Sequence, residues 1–126
     1  MHEATLGIIA TALIWGVTDP FMKRFASYPS YDSWLSDLVP FLKNWRYAVT
    51  FAVNQAGSVT FMWTLTKASL SYVVPATNSL KFLATFLTGQ LLGEGSPTAR
   101  SWIGLLLITC GISLHQYDHV YRLDNE

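Results

Sequence analysis

Hydrophobic residues in this chain form long stretches, and the charged residues are gathered between them. Four such stretches occur, at 4–18, 47–66, 68–93 and 101–117. Lys81 is the only Asp, Glu, Lys or Arg inside any of them. A helix needs about 17–25 apolar residues to cross a hydrocarbon core of about 30 Å, and a bilayer requires backbone groups to be hydrogen-bonded within the segment. The pattern therefore predicts an all-α membrane protein, one membrane domain spanning 1–126, with transmembrane helices at about 4–24, 46–66, 69–93 and 99–117.

The longest connection between these helices covers residues 27–44. Its segment from Ser33 to Pro40 combines a capping serine with several apolar residues, among them Trp34. That pattern is typical of a short helix lying in the membrane interface. An irregular loop anchored by aromatic residues fits it equally well, and the sequence does not decide between them.

Composition supports the membrane prediction, since 51% of the 126 residues are hydrophobic and 13% are charged. A soluble four-helix bundle would carry charged residues along one face of every helix, and these stretches lack such a face. The formal net charge of zero argues against a nucleic-acid partner. Cys110 is the single cysteine, so no disulfide can form within the chain.

Basic residues at the predicted membrane boundaries are unequally divided between the two sides. The side of the first and third connections has five: Lys23, Arg24, Lys43, Arg46 and Arg100. The side of both termini has two, Lys67 and Arg122. Because basic residues in short loops favour the cytoplasmic side, we expect both termini to face away from the cytoplasm.

Polar residues inside the predicted helices mark a candidate binding site, because such side chains face protein or water. Five of them share one face of the third helix: Thr77, Asn78, Lys81, Thr85 and Thr88. Asn54 belongs to a polar row on the second helix, and the first helix has a row formed by Thr11, Trp15 and Thr18. These rows predict a polar cavity that binds substrate through Asn54, Thr77, Asn78, Lys81 and Thr85. The alternative is that they are hydrogen bonds holding the helices together.

Lys81 is the most informative of these residues, since it lies 14 residues after Lys67 and 13 before Glu94. A cation near the membrane midplane is costly unless it has a partner. Asp19 is the only acidic residue within the four predicted helices and is therefore the possible charge partner. Side chains tilt toward the N-terminal end of a helix, which points Lys81 away from Asp19, so the sequence leaves a direct pair open.

Two glycines on the fourth predicted helix, Gly104 and Gly111, are seven residues apart and share a narrow face. Small residues permit close helix approach in membranes. We therefore expect this face to be an association seam, used by a second copy of the chain or by other membrane subunits.

Other chemistry is not indicated, and we expect neither an enzyme nor a cofactor. His115, Asp118 and His119 have the spacing of a helical metal site, yet two histidines do not complete a structural zinc site. The segment Gly93-Glu94-Gly95 lacks the longer glycine-rich pattern of a phosphate loop.

Several motifs resemble those of one known family. They are the segments Leu13–Arg24, Asn44–Tyr47, Asn54–Ser58, Val74–Leu80 and Leu87–Glu94. Together they resemble the eukaryotic transmembrane protein 234 family over nearly the whole chain. The resemblance implies Trp-Gly-x-Thr-Asn-Pro-Phe near the end of the first helix, and Asp19 replaces the amide of that pattern with an acid. Lys81 is not expected as a general feature of the family.

That family in turn is similar to the drug/metabolite transporter superfamily, including the small multidrug resistance proteins. The resemblance implies a four-helix chain that works as a dimer with inverted-repeat logic. The small multidrug resistance pattern places an essential glutamate in the first helix, whereas Gly7–Thr18 contains no acid here. Proton-coupled drug export is therefore not implied.

Two functions of different classes follow. The first is transport of a small solute by a protein of the drug/metabolite transporter type. The second is a non-transporting structural or accessory subunit of a larger membrane complex. We expect an integral membrane protein of a eukaryote in either case, and the sequence indicates neither its organelle nor its substrate.

Overall fold

The computed structural model describes residues 2–26 and 43–124, and this part of the chain is built from helices. Four long helices follow one another: α1 (His2–Phe25), α2 (Trp45–Leu65), α3 (Leu70–Leu91) and α4 (Ala99–Asp124). The predicted all-α, four-helix fold is confirmed for these residues. The short interfacial helix considered for residues 27–44 falls almost wholly outside the described residues.

Helix boundaries are set by local hydrogen bonds and by glycine. Asn44 precedes α2; its side-chain oxygen accepts from the Tyr47 amide at 3.4 Å, and its side-chain amide donates to the Phe25 carbonyl at 2.7 Å. The start of α2 is thereby tied to the end of α1. Between α3 and α4, Gly93 and Gly95 adopt φ values of +76° and +101°, which only glycine reaches without strain.

The fourth helix is longer than its apolar stretch. The apolar stretch predicts an end at Tyr117, and the helix continues to Asp124. An ion pair between Arg122 and Asp118, at 3.1 Å with i,i+4 spacing, supports the added turns. The drop in hydrophobicity after Tyr117 therefore does not mark the end of the helix.

Length and hydropathy together single out α1. It is the one helix in the described residues that is both long and apolar enough to cross a membrane by these criteria. The other three have 21, 22 and 26 residues, which is sufficient length. Their hydroxyl, amide and charged residues lower the mean hydropathy, so hydropathy alone supports one of the four predicted crossings.

The helices alternate in direction, and ion pairs mark both ends of the bundle. At one end Lys67, after α2, lies 3.1 Å from Glu3 in the first turn of α1. At the other end Lys23 lies 3.3 Å from Glu94, which follows α3. Hence α1 and α3 run in the same direction, with α2 opposite to both.

The centre of the bundle is α1, which packs along its length on both α2 and α3. Glycines make this approach possible. A Cβ on Gly7 would collide with the Thr64 side chain of α2, and one on Gly57 would lie 2.8 Å from the Trp15 indole. A Cβ on Gly16 would lie 3.0 Å from the Lys81 carbonyl oxygen and would collide with Ala84. The backbone of α1 therefore lies against α3 at Gly16.

A small apolar core forms where α1 meets the first half of α3. Ile8 packs there with Tyr72, Val73 and Ala76, all buried. Much of the remaining apolar surface of the four helices is exposed.

The fourth helix packs on α3 alone within the described residues, and its Cα atoms stay more than 8 Å from those of α1 and α2. Tyr72 of α3 anchors it. The Tyr72 hydroxyl donates to Gln116 at 2.8 Å, and its ring stacks on His119 with centroids 3.7 Å apart. Because no side chain of α4 up to Arg122 is fully buried, α4 forms an outer layer.

Enlarging Gly16 tests the close approach of α1 and α3. Gly16→Ala places a methyl group against backbone atoms, so we expect stability to fall by about 1–3 kcal/mol, typical of overpacking. Thermal unfolding in a mild detergent measures it.

The control is Ser113→Ala, since Ser113 is exposed and lies on a different side of α4 from Gly104 and Gly111. It should be neutral or stabilising by up to about 1 kcal/mol, from helix propensity alone. Equal effects of the two substitutions would contradict the packing described for Gly16.

Candidate functional site

An ion pair lies between α1 and α3 in the interior part of the bundle. The Lys81 ammonium is 2.8 Å from Oδ2 of Asp19, and the two side chains are 28% and 37% exposed. Lys81 sits 11 residues after the start of α3 and 10 before its end. The charge partner that the sequence left open is therefore in contact with Lys81, close to the middle of α3.

Local packing explains why these residues meet. Gly16 lets α1 approach α3 at the level of Lys81 and Thr85. Asp19 follows Gly16 by one helical turn and so lies on nearly the same face. Its Cα lies nearer the C-terminal ends of α1 and α3 than the Cα of Lys81 does. The four-carbon stem of the lysine spans this difference.

Asn54 of α2 holds the other oxygen of the carboxylate. Its side-chain nitrogen donates to Oδ1 of Asp19 at 3.0 Å and to the Thr18 hydroxyl oxygen at 2.7 Å. An amide nitrogen has two hydrogens, so both are used. The Thr18 hydroxyl donates in turn to the Ile14 carbonyl at 2.6 Å. Asp19 is therefore fixed by a network that involves two helices.

Trp15 forms the apolar wall beside the ion pair. Its indole N–H donates to the main-chain carbonyl of Asn54 at 3.1 Å, and its ring centroid lies 5.3 Å from the Lys81 ammonium. That distance is within the range of a cation–π interaction. Gly57 leaves room for the indole, and Phe61 packs against it at 5.3 Å between centroids.

We call these side chains the polar cluster: Trp15, Thr18, Asp19, Asn54 and Lys81. Asn54 and Lys81 were candidate binding residues in the sequence and Asp19 was the possible partner. Trp15 and Thr18 were recognised only as a polar row on the first helix. Trp15 lies one helical turn before Asp19 and Thr18 lies one residue before it, and this proximity is the signal that could have placed them in the site.

The other candidate residues of α3 lie elsewhere on that helix. Asn78 is exposed. Thr77 is fully buried, and its hydroxyl has no hydrogen-bond partner in the described part of the chain. The Thr85 hydroxyl, near the contact at Gly16, is also buried without a hydrogen-bond partner in the described residues. None of the three contributes a hydrogen bond to the polar cluster in the described structure.

The chemistry available in the polar cluster is binding. It offers a cation, an anion and an aromatic face with a net charge of zero. Within the described residues no set of three or more His, Cys, Asp or Glu side chains is arranged to hold a metal ion.

A cavity of about 290 Å³ lies away from the cluster, at the end of the bundle that contains the N-terminus of α1. Lys67, Tyr72 and His119 contribute to its lining. Its lysine is already paired with Glu3 at 3.1 Å. Lys81 is paired as well, so pairing does not separate the two sites. The polar cluster is the stronger candidate because Lys81 lies near the middle of α3, where an ionisable group inside a membrane is costly.

The glycine seam on α4 is uncovered. Apart from the adjoining residues and backbone of α4 itself, no described atom lies within 4 Å of a Cβ placed on Gly104 or Gly111. Large apolar side chains beside it are exposed, among them Leu107 and Leu114. These glycines do not mediate packing between the described helices of a single chain.

Comparison with known proteins identifies relatives over most of the chain. Residues 8–116 match the model of a family described as Putative transmembrane family 234. A "Transmembrane protein 234 homolog" from Dictyostelium discoideum is 35% identical over 116 residues, covering 86% of this chain and 91% of the relative. A protein of the same name from Anopheles gambiae is 37% identical over 115 residues, covering 86% and 82%. No solved structure matches the chain significantly.

A double-mutant cycle on Asp19 and Lys81 tests the ion pair. Asp19→Asn and Lys81→Met should each destabilise the protein, because each leaves the other charge without its partner. The double variant should recover part of that stability, with a coupling energy of about 0.5–3 kcal/mol. Thermal unfolding in lipid nanodiscs provides the four stabilities.

The Asp118–Arg122 pair is the matched control, since its side chains are 59% and 73% exposed. Its coupling should be about 0.3–0.5 kcal/mol, as for exposed i,i+4 pairs. Strictly additive effects at Asp19 and Lys81 would show that the charges do not interact in the folded protein.

Proposed function

The chain belongs to Putative transmembrane family 234, and we propose that it is a multi-pass membrane protein that transports a small solute past its polar cluster. The family name places the protein in a membrane and states no activity. The transport proposal therefore stands on the chemistry of the polar cluster.

A four-span arrangement is supported by the shape of the bundle. Every helix has at least 21 residues, and the chain reverses direction at each connection. Exposed apolar side chains cover the outer surfaces, as expected where lipid replaces water. The division of basic residues favours both termini on the non-cytoplasmic side.

The Asp19–Lys81 pair, at 2.8 Å, is the single observation that carries the transport proposal. Ionisable residues inside a membrane are costly and commonly mark a solute or ion pathway. Both side chains remain about one-third exposed, so a solute can reach the charges. The aromatic face of Trp15 supplies the apolar surface that small-molecule sites usually contain.

Transport also needs a second half around the cluster. Four helices leave the ion pair partly exposed at one side, and alternating access in transporters with repeats depends on two halves that move against each other. The uncovered seam at Gly104 and Gly111 supplies a surface for that association. A homodimer through this seam is the simplest assembly that supplies a second half.

A second candidate function is favoured by the same uncovered seam. If a different membrane protein covers Gly104 and Gly111, the chain is an accessory subunit, and the ion pair serves to hold α1 against α3. This subunit role predicts a stoichiometric complex with a foreign partner and no solute uptake by the purified chain.

Substitution of Lys81 separates the two functions. In proteoliposomes, Lys81→Met should retain the folded particle and reduce solute uptake at least about tenfold, because it removes a charged hydrogen-bond donor, and hydrogen bonds to charged groups contribute about 1.5–3 kcal/mol. Uptake of a panel of labelled anionic, cationic, zwitterionic and neutral solutes measures it.

Lys67→Met is the matched control, since Lys67 pairs with Glu3 at the end of the bundle, outside the polar cluster. It should leave uptake unchanged. Normal uptake by a stable Lys81→Met protein would remove Lys81 from the transport pathway and favour the subunit role.

Enlarging the seam tests the assembly. Gly104→Leu combined with Gly111→Leu should reduce the mass of the native particle to that of the monomer, because leucine prevents close helix approach. Mass measurement in mild detergent reads the result, and membrane insertion should be unaffected.

Ser113→Leu is the control for added bulk, since Ser113 is exposed and lies on a different side of α4. It should keep the assembly intact. An unchanged mass in the double glycine variant would mean that the seam does not hold the particle together.

A further inference from the structure

The polar cluster carries two opposite charges in contact and therefore has no net charge. Asp19 and Lys81 supply the two charges, and the contribution of α2 is the uncharged Asn54. The nearest other charged residues on α1, Lys23 and Arg24, lie toward the end of the helix, where Lys23 pairs with Glu94. A ligand with a net charge would leave that charge uncompensated in a region of low polarity, which is costly.

The two charged side chains differ in freedom. Asp19 is held at one oxygen by Asn54, whose amide hydrogens are both in use. Lys81 has a flexible stem. Its ammonium group has three hydrogens, and one of them points to Asp19. A ligand can therefore displace the lysine while the carboxylate keeps its position.

The face of Trp15 is suited to an ammonium group. It lies 5.3 Å from the Lys81 ammonium in the present arrangement. A ligand ammonium that replaced Lys81 beside Asp19 would meet the same ring and the same carboxylate. The released lysine would then be free to bind an anionic group on that ligand.

We propose that the solute recognised by the polar cluster is a small zwitterion, with its ammonium group between Asp19 and Trp15 and its carboxylate on Lys81. This inference rests on the proposed transport function and specifies its ligand class. Insertion of the zwitterion exchanges one ion pair for two and keeps the net charge of the site at zero.

Three probes of similar size test the ligand class: β-alanine is the zwitterion, propionate has only the acid and propylamine only the amine. Equilibrium binding of the labelled probes is measured on the full chain in nanodiscs of neutral lipid. The wild-type protein should bind β-alanine at least about tenfold more tightly than either singly charged probe.

The variants should change the preference in opposite directions. Asp19→Asn leaves the cation without its partner, so propionate should become the preferred probe. Lys81→Met leaves the anion, so propylamine should become preferred. Lys67→Met should keep the wild-type preference, since its ion pair lies outside the polar cluster.

The charge exchange Asp19→Lys with Lys81→Asp is the second test, for use if a single variant does not fold. It keeps the net charge of zero and should retain preference for β-alanine with the ligand reversed. Thermal unfolding of every variant is measured first.

Two different failures can be told apart. Preference of the wild-type protein for a singly charged probe, or equal binding of the uncharged propionamide, would overturn the proposal of a zwitterionic solute. It would not affect the proposal that the polar cluster binds a solute. Lys81-dependent uptake confined to anionic, cationic or neutral solutes would likewise overturn the ligand class alone. Absence of uptake for every solute class would overturn the transport function as well.

Discussion

The close approach of α1 to two neighbouring helices is the constraint on which the rest of the structure depends. Gly7 and Gly16 bring the backbone of α1 against α2 and α3, and Gly57 of α2 admits the indole of Trp15. In a membrane the hydrophobic effect does not drive helices together, so dense contact between small residues has to supply much of the association. The described core of large apolar side chains is accordingly small and confined to the region around Ile8.

The same approach produces the polar cluster. Once Gly16 fixes the distance between α1 and α3, Asp19 comes within reach of Lys81, and Asn54 of α2 completes the coordination of the carboxylate. Each charge makes the other tolerable inside the bundle, because an unpaired ion there would cost far more than the pair. A structural role and a binding role are therefore compatible, since a ligand that replaces one partner must supply the charge it removes.

The outer position of α4 has a different physical meaning. It is anchored by the hydrogen bond and ring stacking of Tyr72 and by the contact of Phe86 with Trp102, while its glycine face remains uncovered. Three helices carry the polar cluster and the fourth presents the uncovered seam, so the proposed solute site and the proposed assembly surface lie on different helices. That separation is why the transporter and subunit functions make different demands on the same chain.

The sequence by itself predicted the four long helices of the described residues and singled out Lys81, because span length, helical periodicity and the cost of a midplane charge are local properties. It also identified Asn54 as a polar residue of the second helix and Asp19 as the available acid. Only the tertiary structure decided that these three residues meet, that Trp15 and Thr18 join them, and that Asn78 remains exposed. Helical periodicity gives the face of each residue within its own helix, whereas the rotation and height of one helix against another depend on packing at glycines such as Gly16, which involves residues distant in sequence.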